Sequence, residues 1–356
     1  MFKKTDPNPQ LDIFTAPSMQ LGSRASKKYS DPNAWHNQFY SLVTTKIDEE
    51  IFKPLFPEGK KSGRPNASIR ILVAMSVLKE GFGCSDEDLF EKCEFDLLTR
   101  KALGMELLTD VTPSIDTYYL FRRRICEYQE RTGIDLMQLC FEQLAGKHVH
   151  LLKISGKCVR MDSKLIGSNI ARQSRYELIH TTLVKFLKTC TLTHLSPEQE
   201  ERAKEYLKED SSKTVYRSDS DTLQSNLARI GNFIMEMLAV FPATSPAHDL
   251  LLRLFEEQYV VMDGKAVLRD KKEVKADSLQ NPNDPDATYR AKNDQKVQGY
   301  VTNITETVEE GKPNIITSVL VETAVFADCH FLQEAVENSE RVTDSTIEDL
   351  YADGAY

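Results

Sequence analysis

The sequence predicts an α+β protein of more than one domain, and three patterns carry that expectation. Apolar residues recur at helical spacing from about residue 36 to 148, a short alternating segment follows at residues 158–163, and β-rich segments resume from Gly299 after a second helical stretch. With 356 residues, 40% hydrophobic and 28% charged, the chain can bury a substantial core and has room for two or three domains.

Residues 1–35 are rich in Pro, Asn, Ser and Lys with little periodicity, and read as a flexible arm that becomes ordered near Trp35. Residues 36–148 form a helical amino-terminal domain suited to DNA binding. Within it Ile69, Leu72, Val73, Ser76 and Val77 fall on one helical face, and Gly81-Phe82-Gly83 ends that helix. Ser85-Asp86-Glu87-Asp88 then starts another with capping-box spacing, ahead of Leu89, Phe90 and Cys93. A third begins near Ser114 and sets Ile115, Tyr118, Phe121 and Ile125 on one side, with Arg122, Arg123 and Arg124 in its middle. Helix, glycine turn, helix and then a basic helix is a DNA-binding arrangement. Three consecutive arginines span too wide an arc for one phosphate track, and the alternative is a solvated helix with an Arg123–Glu127 pair. Lys60, Lys61 and Arg64 form a second basic cluster, in a stretch suited to phosphate contact.

The pattern changes after Lys153. In residues 153–173, Val159 and Met161 alternate with Arg160 and Asp162, which predicts a strand ending on an outward carboxylate. Residues 174–280 read as a helical insertion, too long for a loop, with Ser196-Pro197-Glu198-Gln199 as a well-formed helix start. Asn281-Pro282-Asn283-Asp284-Pro285-Asp286 reads as an ordered turn opening the segment 281–356. There, residues 299–307 and 314–322 are β-rich and joined by Glu309-Glu310-Gly311-Lys312-Pro313, as in an antiparallel hairpin. Residues 328–338 are helical, with Phe331, Leu332 and Ala335 as apolar positions, and residues 347–353 are a short strand. Together these predict an α/β sheet with a right-handed crossover before the last strand.

Composition narrows the function. The net charge of −9 argues against a protein that merely coats nucleic acid. Residues 1–130, however, hold 18 Lys and Arg against 19 Asp and Glu, so the acidic excess lies further on and a DNA-facing patch fits the front third. Seven cysteines without C-x-x-C spacing indicate neither a disulfide frame nor a zinc site. The charged, proline-containing start lacks a signal-peptide pattern and no window is apolar enough to span a membrane, so the expected location is the cytoplasm, in association with the nucleoid.

The chemistry centres on Asp162 and Asp353, each expected at the end of a strand. If those strands are parallel neighbours, the two carboxylates meet at the edge where α/β sheets place their sites. Clustered carboxylates repel each other unless a cation joins them, and hard oxygen ligands suit Mg2+ or Mn2+. Such sites serve two-metal phosphoryl transfer. Taken singly, an aspartate at a strand end is also a turn former or helix cap.

Several motifs occur together and in order: Val159-Arg160-Met161-Asp162-Ser163, Asp284-Pro285-Asp286-Ala287, Gly299-Tyr300 and Tyr351-Ala352-Asp353-Gly354-Ala355-Tyr356. With the segments Leu72 to Gly83, Phe95 to Gly104 and Thr117 to Arg124, the chain from about Phe39 to Tyr356 resembles the DDE-type transposases of bacterial insertion sequences with a helical amino-terminal domain. The resemblance implies a ribonuclease-H-like core interrupted by the helical insertion, which cuts DNA at transposon ends and joins the 3′-hydroxyl to a target. It implies Asp162 and Asp353 as catalytic residues and metal ligands, with two Mg2+ or Mn2+ ions in the complete site. The partners implied are terminal inverted repeats, target DNA and a homo-oligomer on DNA. Asp284 and Asp286 match a family motif but read as turn formers rather than ligands.

The family's third acidic residue, a glutamate beyond the second aspartate, has no counterpart before Tyr356, so the resemblance implies a core lacking its carboxyl-terminal part and a chain inactive alone. Two alternatives stand beside that expectation: a truncated DNA-binding regulator of transposition, and an unrelated Mg2+-dependent nuclease.

Overall fold

Capping side chains and apolar spacing account for most of the helices. The computed structural model describes residues 2–4, 17–56, 66–241, 245–292 and 295–354. Helices α1 (Pro17–Gln20), α2 (Ser23–Tyr29) and α3 (Trp35–Leu42) are followed by short 3-10 helical pieces at Thr44–Lys46 and Glu49–Leu55. α1 and α2 fall inside the stretch expected to be a flexible arm; α2 is anchored by the buried ring of Tyr29, whose carbonyl accepts from His36 at 2.8 Å.

Next come α4 (Ile69–Phe82), α5 (Asp86–Phe95), α6 (Leu97–Leu103), α7 (Ile115–Thr132) and α8 (Leu136–Leu152). The Ser68 hydroxyl accepts from Ile71 N to start α4, and Gly83 at φ 61° ends it in the left-handed region that a side chain disfavours. Ser85 and Asp88 form a reciprocal capping box at the start of α5, with Asp in the place usually taken by Glu or Gln. Ile69, Leu72 and Val73 are buried as the periodicity requires, whereas Val77 is 39% exposed at the edge of that face.

A five-stranded sheet holds β1 (Cys158–Gly167), β4 (Thr288–Lys292), β5 (Gln295–Thr307), β6 (Ile316–Thr323) and β7 (Asp349–Tyr351), in the order β4-β5-β1-β7 with β6 also paired to β5. Before β4 come α9 (Arg175–Leu187), α10 (Pro197–Lys208), α11 (Ser211–Arg217), α12 (Ser220–Val240) and α13 (Pro246–Gln258), then a hairpin of β2 (Tyr259–Met262) and β3 (Lys265–Leu268). α14 (Leu332–Thr343) lies between β6 and β7.

The chain divides into two compact units. The first comprises Met1–Arg160, Glu306–Ser318 and Val336–Leu350; the second comprises Met161–Thr305, Val319–Ala335 and Tyr351–Tyr356. The first unit's core is built on Phe52, Ile69, Met75, Leu89, Leu103, Tyr118 and Phe121. The second unit's core joins α9, α10, α12 and α13 through Tyr176, Ile179, Phe186, Tyr206, Phe233 and Leu254.

Five expectations need correction. The strand expected to stop at Asp162 runs on to Gly167, because the β5 backbone continues to pair with it as far as Ser168, whose N donates to Gln298 O at 2.8 Å. The last strand is shorter than expected, and Asp353 lies two residues beyond its end at Tyr351. The insertion is not wholly helical: β2 and β3 turn through Asp263 and Gly264, both at positive φ, the backbone of a two-residue hairpin turn. β4 lies where no strand was expected, just after the turn at residues 281–286, and pairs antiparallel with β5 from Thr288–Gly299 to Lys292–Gln295. α14 also departs from the apolar face expected of it: Leu332 is 38% exposed, while Ser339 is buried and shares a hydrogen bond with Thr317 at 2.8 Å within the first unit.

Candidate functional site

In the first unit the three arginines of α7 diverge. The helix starts on the Ser114 cap, which accepts from Thr117 N, and Tyr118, Phe121 and Ile125 turn into the core. Arg122 lies over the Tyr118 ring at 5.6 Å, Arg124 over the Phe56 ring at 5.8 Å, and Arg123 pairs with Glu127 at 3.7 Å with both side chains solvated. The helical arc thus separates them, and Arg123 takes the bland charge-pair role. Lys60, Lys61 and Arg64 lie outside the described residues.

A residue missed in the sequence reading holds this region together. Arg100 is 5% exposed and donates to the carbonyls of Cys93 at 3.1 Å, Leu107 at 2.7 Å and Asp110 at 2.9 Å. An arginine followed by the Gly104 turn carries no signal for this, because the acceptors are backbone atoms of a loop yet to be placed. The seven cysteines are all unpaired; burial pushes the Cys93 thiol up to about 12 and the Cys140 thiol up to about 11, which leaves both inert.

The two candidate aspartates belong to the second unit. Glu348 N and Asp349 N both donate to the carbonyl of Lys157, at 2.7 and 3.2 Å, in the first unit. Lys157 directly precedes β1 and Asp349 begins β7, so the paired strands start side by side and run the same way. Asp162 lies within β1, five residues past Lys157, and Asp353 lies four past Asp349, two residues beyond the end of β7. Both are exposed. One oxygen of Asp162 accepts from Ser163 N at 2.8 Å, and the other has no partner among the described residues.

The register between β1 and β5 fixes what else shares the face of Asp162. Ser168 N to Gln298 O, and the Asn303 amide to Ser163 Oγ at 3.3 Å, set an antiparallel pairing with Asp162 opposite Ile304, Lys164 opposite Thr302 and Ile166 opposite Tyr300. Alternation puts Lys164 on the face of Asp162. It is exposed and has no acidic partner among the described residues. Asp284 and Asp286 sit in the turn that closes when Asp284 N donates to Asn281 O at 3.1 Å, and Asp284 is bonded to Ser168 and Tyr300. Among the described residues no three His, Cys, Asp or Glu side chains group to hold a metal ion.

Residues 28–124 match the family model of a transposase domain, DUF772. The matched stretch runs through α3 to α6 and into α7 as far as Arg124. A transposase domain implies interaction with DNA. No curated protein and no solved structure matches the chain. Among the described residues no helix is long and apolar enough to cross a membrane.

Proposed function

We propose that this chain is a DDE-type transposase of a bacterial insertion sequence, which binds the terminal inverted repeats through its transposase domain and carries catalytic carboxylates at Asp162 and Asp353. The observation that carries the reading is that β1 and β7 are neighbours and start side by side, which supports Asp162 and Asp353 acting together at the far end of those strands. The strand order β6-β5-β1-β7, with the first strand central and the last beside it, supports a ribonuclease-H-like core. The transposase domain at residues 28–124 supports DNA as the substrate.

In this reading Asp162 and Asp353 hold Mg2+ or Mn2+, and the open oxygen of Asp162 fits that use. A bound divalent ion supplies an activated water or 3′-hydroxyl and stabilises the leaving oxygen. The chain's own part is to present the two carboxylates, keep Lys164 on the face of Asp162 for a phosphate, and grip the DNA ends through α7. Arg122 and Arg124, each already resting on an aromatic ring, present guanidinium groups without the entropy of a free side chain. Two-ion strand transfer requires a third carboxylate, and no group of three is assembled among the described residues.

Mn2+ titration followed by electron paramagnetic resonance tests the metal assignment. The wild type is expected to bind Mn2+, with Asp162→Asn and Asp353→Asn each weakening it at least tenfold; equal binding by Asp162→Asn would remove Asp162 from the site. Gel shifts on terminal inverted repeats, with Mg2+-dependent cleavage assayed alongside, separate the enzyme from a second reading. That reading is a DNA-binding regulator, favoured by the absence of a three-carboxylate group among the described residues; binding without cleavage supports it, and robust strand transfer by the 356-residue chain would exclude it.

A further inference from the structure

Beyond Met161, β1 has little in its side chains to hold its register. Asp162, Lys164, Ile166 and Gly167 are exposed and Ser163 and Leu165 are half-buried, so neither face is driven into a core. Val159 and Met161 are buried and hold the first half of β1, so only the half beyond them can slip at small apolar cost. Such a slip, starting next to Met161, would carry Asp162 to the opposite side of the sheet. Beyond Met161, something other than hydrophobic patterning must set the pairing.

Asp284 spans the end of β1 and its neighbour β5 within the second unit. One carboxylate oxygen accepts from Ser168 Oγ at 2.5 Å, just past the end of β1, and the other accepts a short hydrogen bond from the Tyr300 hydroxyl on β5. The turn that carries Asp284 is itself fixed. Asn281 donates its amide to Ala171 O at 3.2 Å and accepts from Asn283 N at 2.9 Å. Pro282 O accepts from Lys185 of α9 at 2.5 Å, and Pro285 O accepts from Arg253 of α13 at 2.9 Å. Next to Tyr300, a Cβ at Gly299 would stand 2.2 Å from Ile166 O and 2.6 Å from Ser168 N, so the two backbones approach as only glycine permits.

We propose that Asp284 is a positioning residue: through Ser168 and Tyr300 it pins the second half of β1 to β5 in the register that turns Asp162, and Lys164 with it, to the open face. This deepens, and rests on, the assignment of Asp162 to the catalytic site. It also joins two sequence motifs that had no role, Asp284-Pro285-Asp286-Ala287 and Gly299-Tyr300, into a single device. Both carboxylate oxygens of Asp284 accept hydrogen bonds from hydroxyls, which fits a structural role. The latch keeps its proton on the phenol: burial raises the ionisation of Tyr300 first, and the hydrogen bond to Asp284 and its negative charge raise it further.

The test uses the 356-residue chain with Asp284→Ala, and Ser168→Ala and Tyr300→Phe as milder variants that each remove one hydroxyl. Amide hydrogen exchange is read across residues 162–168 against the helices of the first unit. At least tenfold faster exchange confined to 162–168 and the β5 residues opposite is expected for Asp284→Ala, with smaller increases for the milder pair. Absorbance titration of the tyrosines gives a signature that mere loss of packing does not: Asp284→Asn is expected to lower the ionisation of one phenol, and that phenol is absent in Tyr300→Phe. Mn2+ affinity is expected to fall several-fold in Asp284→Ala without being lost. Unchanged exchange at 162–168, or acceleration spread evenly over the whole chain, overturns the proposal. If the wild type binds no Mn2+, the metal assignment fails, while exchange and the tyrosine titration still decide whether Asp284 sets the register.

Discussion

Gly299→Ala tests the close approach of β1 and β5 most directly. The added methyl carbon would lie 2.2 Å from Ile166 O and 2.6 Å from Ser168 N, against an ordinary contact of 3.4–4 Å. Both atoms are backbone, so no side chain can swing aside and the strands must separate by roughly an ångström. Separation breaks the Ser168 N to Gln298 O bond, a loss of about 1 kcal/mol, and overpacking adds about 1–3 kcal/mol. Gly299 also holds φ at 156°, a conformation that adds roughly 1–3 kcal/mol of strain for a side-chain-bearing residue. The expected destabilisation is about 3–5 kcal/mol, since relaxation recovers part of that total. Urea unfolding followed by tyrosine fluorescence measures it, with Gly264→Ala, where a Cβ meets nothing within 4 Å, separating steric overlap from positive φ. A Gly299→Ala protein within about 1 kcal/mol of wild type would refute the steric argument.

Three further outcomes follow from particular side chains. Arg100→Ala strands three carbonyls that the guanidinium satisfies inside the first unit, and is expected to lose about 3–5 kcal/mol in urea unfolding; a loss under about 1 kcal/mol would mean that water replaces it freely. His180 is buried with Nε2 3.6 Å from Glu209, too far for a hydrogen bond, and burial holds its imidazole below the usual 6.5 despite that carboxylate. The unfolded chain therefore takes up this proton first, so its stabilising effect is complete above about pH 6.5 and shrinks as pH falls below it; melting from pH 7.5 to 5 is expected to show a shallower decline for His180→Phe, and equal slopes would show that His180 is not the group responsible. Lys164→Gln is expected to reduce the slope of log affinity against log salt for duplex DNA by about 0.9, whereas Arg160→Gln, whose charge is already taken by Glu306 at 2.5 Å, leaves it unchanged; the reverse ranking would move the phosphate contact away from Lys164.

The helices of the amino-terminal part were legible because their signals are local. Ser68, Ser85 and Ser114 cap them through backbone amides two or three residues away, and Gly83 ends α4 by its own conformational freedom. The β2–β3 hairpin was legible too, through the Asp263-Gly264 pair between alternating residues, but strong helical periodicity on its amino-terminal side masked it. α14 misled the reading for the opposite reason: its buried Ser339 and Thr343 are polar, and hydrogen-bond partners such as Thr317 Oγ1 and Ser339 O compensate their burial.

What the sequence by itself determined is the order of elements and the chemistry available: a capped helical region, a basic helix, and aspartates at 162, 284 and 353 carried near strands. Periodicity and caps act within a few residues, so they survive in one dimension. Only the tertiary structure decided which of these groups work together. It separated three adjacent arginines by the pitch of α7, engaged both oxygens of Asp284 with hydroxyls, and paired β1 with β7 although their first residues, Cys158 and Asp349, are 191 residues apart. Register is a relation between distant backbones, and neither strand encodes it alone.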